Sequence, residues 1–310
     1  MEPGAMLRAA REAAGVGLRE IARRTHYSPA YLSDIERGKR PAPADVVAAY
    51  ETALGSNLDR LTSLTKTPAS VDTAALSDVA VMLSATRRIE DATGPLAVLP
   101  AVAGMATMAE TFADQARSCA ARKAAGMASE IDQYRGWLEH ATGADKASGR
   151  SLRKAVDLAQ VSGDPDRLVH GLSFTAYVDL ERGERTEAAA LSDAALAVQG
   201  AHPLIRVYEH FQRARIHAVE GEPAEAQRRL CLADRAMEAA DGHEPPEAGY
   251  WYTPGFFGLQ RSRVLRMLGQ DDRARQEVRA AVDALPEEHR RAEWAAKWRR
   301  AADGETDIPH

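Results

Sequence analysis

The sequence predicts an all-α protein in two parts, a compact bundle of five short helices followed by a longer array of paired helices. Three observations favour this fold class. Apolar residues recur at helical spacing along most of the chain. The segment from Ser28 to Arg40 begins with Ser-Pro and contains Gly38, and these residue types start and end short helices. Four glycines in the second part recur at intervals of 40, 38 and 48 residues, a spacing typical of stacked helical repeats.

The first part holds five predicted helices joined by short connections. Their apolar positions are Leu7, Ala10 and Ala14 in the first helix, Ile21 and Ala22 in the second, Leu32 and Ile35 in the third, Val47, Tyr50 and Leu54 in the fourth, and Leu58, Leu61 and Leu64 in the fifth. The second helix is expected from about Leu18 to Thr25, and only three residues, Thr25 to Tyr27, link it to the third. Such a tight connection is the helix-turn-helix arrangement, whose second helix enters the major groove of DNA.

The third helix is predicted to have one packed face and one outward face. Ser28 is placed to cap it, and Pro29 suits its first position, where no backbone hydrogen bond is lost. Its outward face is expected to hold four residues at positions i, i+3, i+4 and i+7, namely Ala30, Ser33, Asp34 and Arg37. This small, polar surface predicts contact with nucleobases.

The same segment carries a family resemblance. Gly15, Ile21-Ala22, Ser28, Tyr31-Leu32-Ser33, Ile35-Glu36-Arg37-Gly38 and Pro41 resemble, in order and along its whole length, the Xre (lambda-repressor-like) DNA-binding domain. The resemblance implies a transcriptional regulator that binds a double-stranded DNA operator. It implies base-edge contacts from Pro29, Ala30, Ser33 and Asp34, and phosphate contacts from Ser28, Arg37, Lys39 and Arg40.

Three positions depart from the family pattern. Leu18 stands where the family commonly has a phosphate-binding glutamine, and a leucine side chain offers no hydrogen bond for that phosphate contact. His26 replaces the usual turn glycine, and histidine tolerates the left-handed backbone region well enough for the turn to survive. Asp34 stands where many relatives carry a longer polar or basic residue. Its carboxylate predicts a preference for cytosine, whose amino group it would accept from, unless it is only a solvated surface charge.

Composition sets the domain organisation. A chain of 310 residues is long enough for roughly two domains. We expect a DNA-binding domain at residues 1–65, a linker at 66–73 rich in Pro and small polar residues, and a helical-repeat domain at 74–310. Residues 1–66 contain 10 Lys/Arg and 8 Asp/Glu, whereas the whole chain has a formal net charge of −5. An acidic body repels phosphate, so a homodimer that doubles the local basic contacts is expected.

The remaining composition favours a cytoplasmic protein that does not cross a membrane. Cys119 and Cys231 show no paired metal-ligand spacing, which is typical of a reduced compartment. The apolar stretch from Leu96 to Met108 is short and contains Pro100 and Gly104, which we expect to interrupt it.

Small residues recur at fixed positions around Gly143, Gly183, Gly221 and Gly269. Seven positions before each glycine stand Gly136, Ala176, Ala214 and Ser262; five after stand Ser148, Ala188, Ala226 and Ala274; twelve after stand Ala155, Ala195, Ala233 and Ala281. Small side chains at fixed places permit close helix packing. The pattern resembles the tetratricopeptide repeat across about residues 125–300, and this implies a tetratricopeptide-like helical-repeat solenoid. We expect residues 76–123 to form an earlier, degenerate pair and residues 287–300 a capping helix, in which Trp294 and Trp298 offer an apolar seam or a dimer contact.

The repeat resemblance implies a concave inner surface on which a small-molecule or peptide effector would bind. The residues expected there are Trp137, His140, Tyr177, Tyr208, Phe211, Arg215, Arg263 and Arg266. Aromatic rings and arginines suit an amphipathic ligand that carries a carboxylate or phosphate. The alternative is that the aromatics are packing residues and the arginines a solvated face. The extra residues near Glu244 to Phe257 predict a lid, a subunit contact or a packed inter-repeat loop.

No pattern in the chain indicates catalysis or a cofactor. His210 and His217 lie two helical turns apart, too far to share one zinc ion, so no metal site is expected. The sequence shows neither a phosphate-cradling glycine loop nor a nucleophile elbow. The regulator hypothesis therefore competes with two others, a repeat adaptor that binds a protein partner and a constitutive regulator without an effector.

Overall fold

The computed structural model describes residues 3–54, 67–117 and 119–309. Within these ranges the chain forms sixteen α-helices, three short 3-10 turns and no strand, which confirms the all-α prediction. The chain divides into two compact units, Met1–Gly163 and Asp164–His310. The predicted fifth helix around Leu58, Leu61 and Leu64 lies outside the described residues, and the proposed domain boundary at residues 66–73 stays a prediction.

The first unit begins with the small bundle. Its helices are α1 (Pro3–Ala13), α2 (Leu18–Thr25), α3 (Pro29–Glu36) and α4 (Ala44–Leu54). Their shared core consists of Leu7, Ala10, Val16, Ile21, Ala22, Leu32, Ile35, Val46, Val47 and Tyr50. The predicted core positions are buried in these helices except at two: Leu54 is half-buried against the core, and Ala14 is exposed, just past the end of α1.

Helix α1 also belongs to a second core. Met6 and Ala9 pack with α5 (Thr73–Thr93), α6 (Pro95–Gln115) and α7 (Cys119–Ala141), and α8 (Asp145–Ser162) completes the unit. Leu7 and Ala10 on the other side of α1 face the small bundle. Helix α1 therefore joins the bundle directly to the helices that follow it in sequence.

Helix α6 corrects one expectation. Pro100 and Gly104 do not interrupt the apolar stretch, because the helix runs unbroken through both. Proline removes one backbone donor, but Pro100 lies on the exposed side, and the opposite face of the helix is held by its buried residues Val98, Val102, Met105, Ala106, Met108, Ala109 and Phe112. By length and composition alone, α6 is long and apolar enough to cross a membrane, with a mean hydropathy of 1.5 in its most apolar window. Core helices of soluble proteins have the same length and composition, and the buried residues of α6 belong to a core.

The second unit consists of three helix pairs and a C-terminal cap. The pairs are α9 (Pro165–Glu181) with α10 (Arg185–Ala197), α11 (Pro203–Glu220) with α12 (Pro223–Ala239), and α13 (Pro254–Met267) with α14 (Asp271–Asp283). The prediction of a single capping helix at residues 287–300 is wrong. The cap consists of α15 (Glu287–Arg291) and α16 (Ala296–Ala302), joined by a 3-10 turn at Glu293–Ala295. His289 of α15 and Trp298 of α16 are both buried, and the bend between the two helices allows each ring to pack.

The repeat pattern is confirmed at its turns and its small positions. Gly143, Gly183, Gly221 and Gly269 have φ angles of 81°, 84°, 77° and 72°, a left-handed conformation that favours glycine at helix ends. The twelve small residues aligned with them are all buried. At Gly136 an added Cβ atom would lie 2.6 Å from Cγ of Leu152, so a larger residue there would push α7 and α8 apart.

Candidate functional sites: the outward face of α3 and the arginine cluster

Helix α3 forms where the sequence placed it. The Ser28 Oγ accepts a hydrogen bond from the backbone N–H of Tyr31 at 3.2 Å, and Pro29 occupies the first turn. Leu32 and Ile35 are fully buried, whereas Ser28, Pro29 and Ala30 are exposed. The inward side anchors the helix and the opposite side is open to solvent.

The turn before α3 keeps its geometry despite the histidine. His26 has a φ angle of 59° and is the C-cap of α2. Among the described residues it is the one non-glycine residue with a positive φ. This confirms the prediction that the turn survives the change from glycine to histidine, because His26 adopts the left-handed conformation that the three-residue connection requires.

A buried ion pair missed by sequence reasoning fixes the far end of α3. The Arg11 guanidinium donates to both carboxylate oxygens of Glu36, at 2.6 and 2.7 Å, and to the backbone oxygen of Val16 at 3.0 Å. The Tyr50 hydroxyl donates to Glu36 at 2.9 Å. Burial and the Glu36 carboxylate raise the pKa of Tyr50 well above its ordinary value, which keeps its proton in place. Three helices, α1, α3 and α4, are thus joined through one carboxylate.

Basic residues surround the exit of α3. Arg37, Lys39 and Arg40 are exposed. The Asp34 carboxylate contacts Arg37 at 3.3 Å and Arg40 at 3.8 Å, and the Arg40 guanidinium lies 5.7 Å from the Tyr31 ring centre. Exposed ion pairs of this kind contribute little to stability, so both arginines can exchange Asp34 for a phosphate. Asp34 and Ser33 are half-buried on the outward side.

In the second unit, three predicted effector residues converge. The guanidinium of Arg215 lies 5.0 Å from the Tyr177 ring centre, and that of Arg263 lies 6.0 Å from the same ring. Both arginines are buried, with exposed fractions of 6% and 5%. These residues come from α9, α11 and α13, one from each helix pair, at the position six residues before the turn glycine. We call Tyr177, Arg215 and Arg263 the arginine cluster.

The positive charges in and around the arginine cluster outnumber the carboxylates near them. Arg215 pairs with Glu181, yet its Nε and Nη1 atoms have no hydrogen-bond partner among the described residues. Burial and the charge of Arg215 lower the pKa of Arg263, and burial and Arg263 lower the pKa of Lys297. Trp298, one residue further on α16, lies under the Arg263 guanidinium at 5.7 Å. Lys297 and Trp298 were not among the predicted effector residues, because the chain returns to this surface only through tertiary folding.

The predicted aromatic residues next to the arginine cluster pack against the inserted loop. Tyr208 stacks on Tyr252 with ring centres 5.5 Å apart, and Phe211 stacks on Phe257 at 6.0 Å. Tyr252 is 1% exposed, and its hydroxyl lies 3.1 Å from His170 Nε2. Of the three interpretations of the residues near Glu244 to Phe257, packing is the one that this geometry supports.

The other three predicted effector residues lie elsewhere. Trp137 and His140 belong to the first unit, where Trp137 packs against the core of α5 to α7. His140 Nδ1 lies 3.0 Å from Asp145, and Arg266 donates to Asp271 at 3.0 Å. Each of these two contacts spans the turn between paired helices. Their assignment to an effector site stays a prediction.

A third turn holds a cluster that resembles a metal site in composition. His217 Nδ1 lies 2.6 Å from Glu222 and 3.8 Å from Glu220. The His217 to Glu222 contact joins residues five positions apart across Gly221, as the His140 to Asp145 and Arg266 to Asp271 contacts do across their glycines. The recurrence indicates a clasp that closes the turn. His210, the other histidine of the pair considered in the sequence, lies near Arg206 and Arg229, and burial together with these charges lowers its pKa to about 4.

Comparisons with known proteins agree with this geometry at the N-terminus. Residues 4–64 match the family model of a helix-turn-helix domain, in agreement with the tight turn between α2 and α3. The match does not extend to a subfamily, and the Xre assignment stays a prediction. Among solved structures, the crystal structure of Bacillus thuringiensis PlcR in complex with the peptide PapR7 and DNA is similar at 12% identity and a TM-score of 0.48, covering 91% of this chain and 94% of that one. No curated protein matches the sequence.

Proposed function

We propose that the protein is a sequence-specific DNA-binding transcriptional regulator. The observation that supports this most directly is the outward face of α3, which presents Pro29, Ala30 and Ser33 from a helix fixed by a buried core within a helix-turn-helix domain. Helices of this kind enter the major groove with their N-terminal residues near base edges. Arg37, Lys39 and Arg40 at the other end provide phosphate contacts.

The regulator acts as a homodimer in this proposal. One helix-turn-helix domain offers few cations, and the chain as a whole carries a net charge of −5. Two copies double the phosphate contacts and read two half-sites about one helical turn of DNA apart.

The arginine cluster is the proposed effector site. A buried guanidinium with unpartnered N–H groups is costly, and a planar anion that accepts two hydrogen bonds from it lowers that cost. The effector is a small molecule or peptide that carries such an anion. It changes operator affinity by binding more tightly to one of the two dimer conformations.

The test begins with DNA. Selection of bound genomic fragments from the purified full-length protein is expected to enrich one sequence, and a salt titration on that sequence should show a steep loss of affinity. Replacement of Ala30 by Asp is expected to abolish the enrichment, whereas Arg228→Asp on the exposed side of α12 should not change it. Equal binding of the wild-type protein to all duplexes at moderate salt would contradict the proposal.

A further inference from the structure

The chain already places one of its own segments on the arginine cluster. Residues 303–309, which we call the tail, follow α16 within the second unit. Ile308 is 4% exposed, and the backbone oxygen of Pro309 accepts a hydrogen bond from Arg263 Nε at 3.3 Å. The tail thus presents an aliphatic side chain and, one residue later, an oxygen acceptor for a buried guanidinium.

The charges of the tail and of the arginine cluster, which it contacts at Arg263, are opposite. The surface carries Arg215, Arg263 and Lys297, while Glu181 and Glu293 are the carboxylates near them. The tail carries Asp303, Glu305 and Asp307, all three exposed. Because Arg215 keeps two unpartnered N–H groups, the tail satisfies this surface only in part. A ligand with a stronger acceptor would bind there better.

We propose that the tail is an intramolecular ligand of the arginine cluster, which an external effector has to displace. The effector then carries the same two groups, a branched aliphatic side chain followed by an oxygen acceptor, and a short acidic peptide has both. This inference rests on the proposed function for the role of the effector, but not for the contact itself. A tethered segment acts at an effective concentration on the order of millimolar, so it competes strongly with free ligands.

The probe for this contact is a fluorescein-labelled, amidated peptide with the sequence of residues 303–309, Asp-Gly-Glu-Thr-Asp-Ile-Pro. Its binding to the full-length chain is measured by fluorescence anisotropy. The Ile308→Asp variant releases the tail and is expected to bind the peptide at least roughly tenfold more tightly than the wild type. The matched control, Thr306→Ala at an exposed tail position, should bind like the wild type. A peptide with Asp in place of Ile should bind to neither.

Two further measurements keep the result decisive. If Ile308→Asp melts at a lower temperature than the wild type, the experiment uses Ile308→Ala instead. That variant is expected to bind the labelled peptide more tightly than the wild type, by a smaller factor than Ile308→Asp. In the unmodified protein, the Ile308 amide should exchange with solvent more slowly than in the free peptide, and excess peptide should accelerate that exchange. Free-peptide exchange rates in the wild-type tail, or no gain in folded Ile308 variants, would overturn the proposal.

The outcome separates this inference from the proposed function. Peptide binding to Ile308→Asp without any change in affinity for the selected DNA would support the tail contact and contradict effector regulation. Specific DNA binding together with no peptide binding would leave the DNA-binding function intact and remove the tail as a ligand.

Discussion

Arg11 and Glu36 form a buried, two-point ion pair that joins the first and third helices of the helix-turn-helix domain, with N to O distances of 2.6 and 2.7 Å. The partners are 25 residues apart in sequence. Their pairing holds the C-terminal end of α3 against α1, and with it the orientation of the outward face.

Replacement of Glu36 by Gln should destabilise the domain. It leaves the buried Arg11 guanidinium with only the more distant Glu12 carboxylate, at 3.6 Å, and breaking a buried pair of this kind costs about 3 kcal/mol. The matched control is Glu20→Gln, which removes the exposed pairs to Arg23 and Arg24 and should destabilise the domain far less, because solvent screens those pairs. Urea unfolding of both variants measures the difference. Equal losses would show that burial does not distinguish the two sites.

Replacement of Gly4 by Ala should loosen α1 from α3. An added Cβ atom would lie 1.9 Å from the backbone oxygen of Ile35, and backbone cannot move aside as a flexible side chain does. We expect a loss of roughly 1–3 kcal/mol in unfolding free energy, together with weaker DNA binding. Gly17→Ser is the control, because nothing lies within 4 Å of its Cβ and serine caps helices well. Wild-type stability in Gly4→Ala would refute the close approach.

Asp34→Asn tests the proposed role of the Asp34 carboxylate of α3. In the proposed complex, phosphates compete for Arg37 and Arg40, and the Asp34 carboxylate accepts from a cytosine amino group. The variant should therefore lose discrimination at one base pair by about 1–3 kcal/mol in a competition assay with single-site operator variants. A uniform rise in affinity for every sequence would instead show that Asp34 is only a surface charge.

Glu209 predicts a pH dependence of stability in the second unit. It is 1% exposed, and burial raises its pKa from 4.5 to about 8, an effect that the nearby Ser173 hydroxyl opposes. The native side chain holds its proton where the unfolded chain releases it. Its contribution to stability is therefore complete below pH 4.5 and is lost as the pH rises through 8, on the order of 5 kcal/mol in total.

The Glu209→Gln variant should flatten this pH dependence. Glutamine keeps the shape of the protonated acid and cannot ionise, so the unfolding free energy should fall less between pH 5 and about pH 8 than in the wild type. Glu238→Gln, at an exposed position on α12, is the control and should keep the wild-type slope. Parallel slopes for Glu209→Gln and the wild type would contradict a protonated Glu209.

Features that depend on neighbouring residues along the chain could be predicted from the sequence. Ser28, Pro29 and Gly38 define α3, and the positive φ angles of Gly143, Gly183, Gly221 and Gly269 follow from their places between helices. The small residues aligned with those glycines also indicated where helices approach one another. Of the eight residues expected on the concave surface, Tyr177, Arg215 and Arg263 lie together, and their role in binding an effector stays a prediction.

The contacts between distant residues escaped prediction. In α1, Met6 and Ala9 pack on α5 to α7, while Leu7 and Ala10 pack on the small bundle. The sequence pattern did not predict this division, because an Ala-rich helix has apolar atoms on several sides. The predicted single capping helix became α15 and α16, since Trp294 and Trp298 each pack separately, against Phe256 and under Arg263.

By itself, the sequence determined the helical class of this protein, the boundaries of α3 and the period of its paired helices, because caps, turns and apolar spacing act over a few residues. Only the tertiary structure decided that Arg11 meets Glu36 and that Arg263 donates to Pro309. Such pairings depend on which buried charges come within hydrogen-bond reach once the helices pack, and no local pattern specifies that distance.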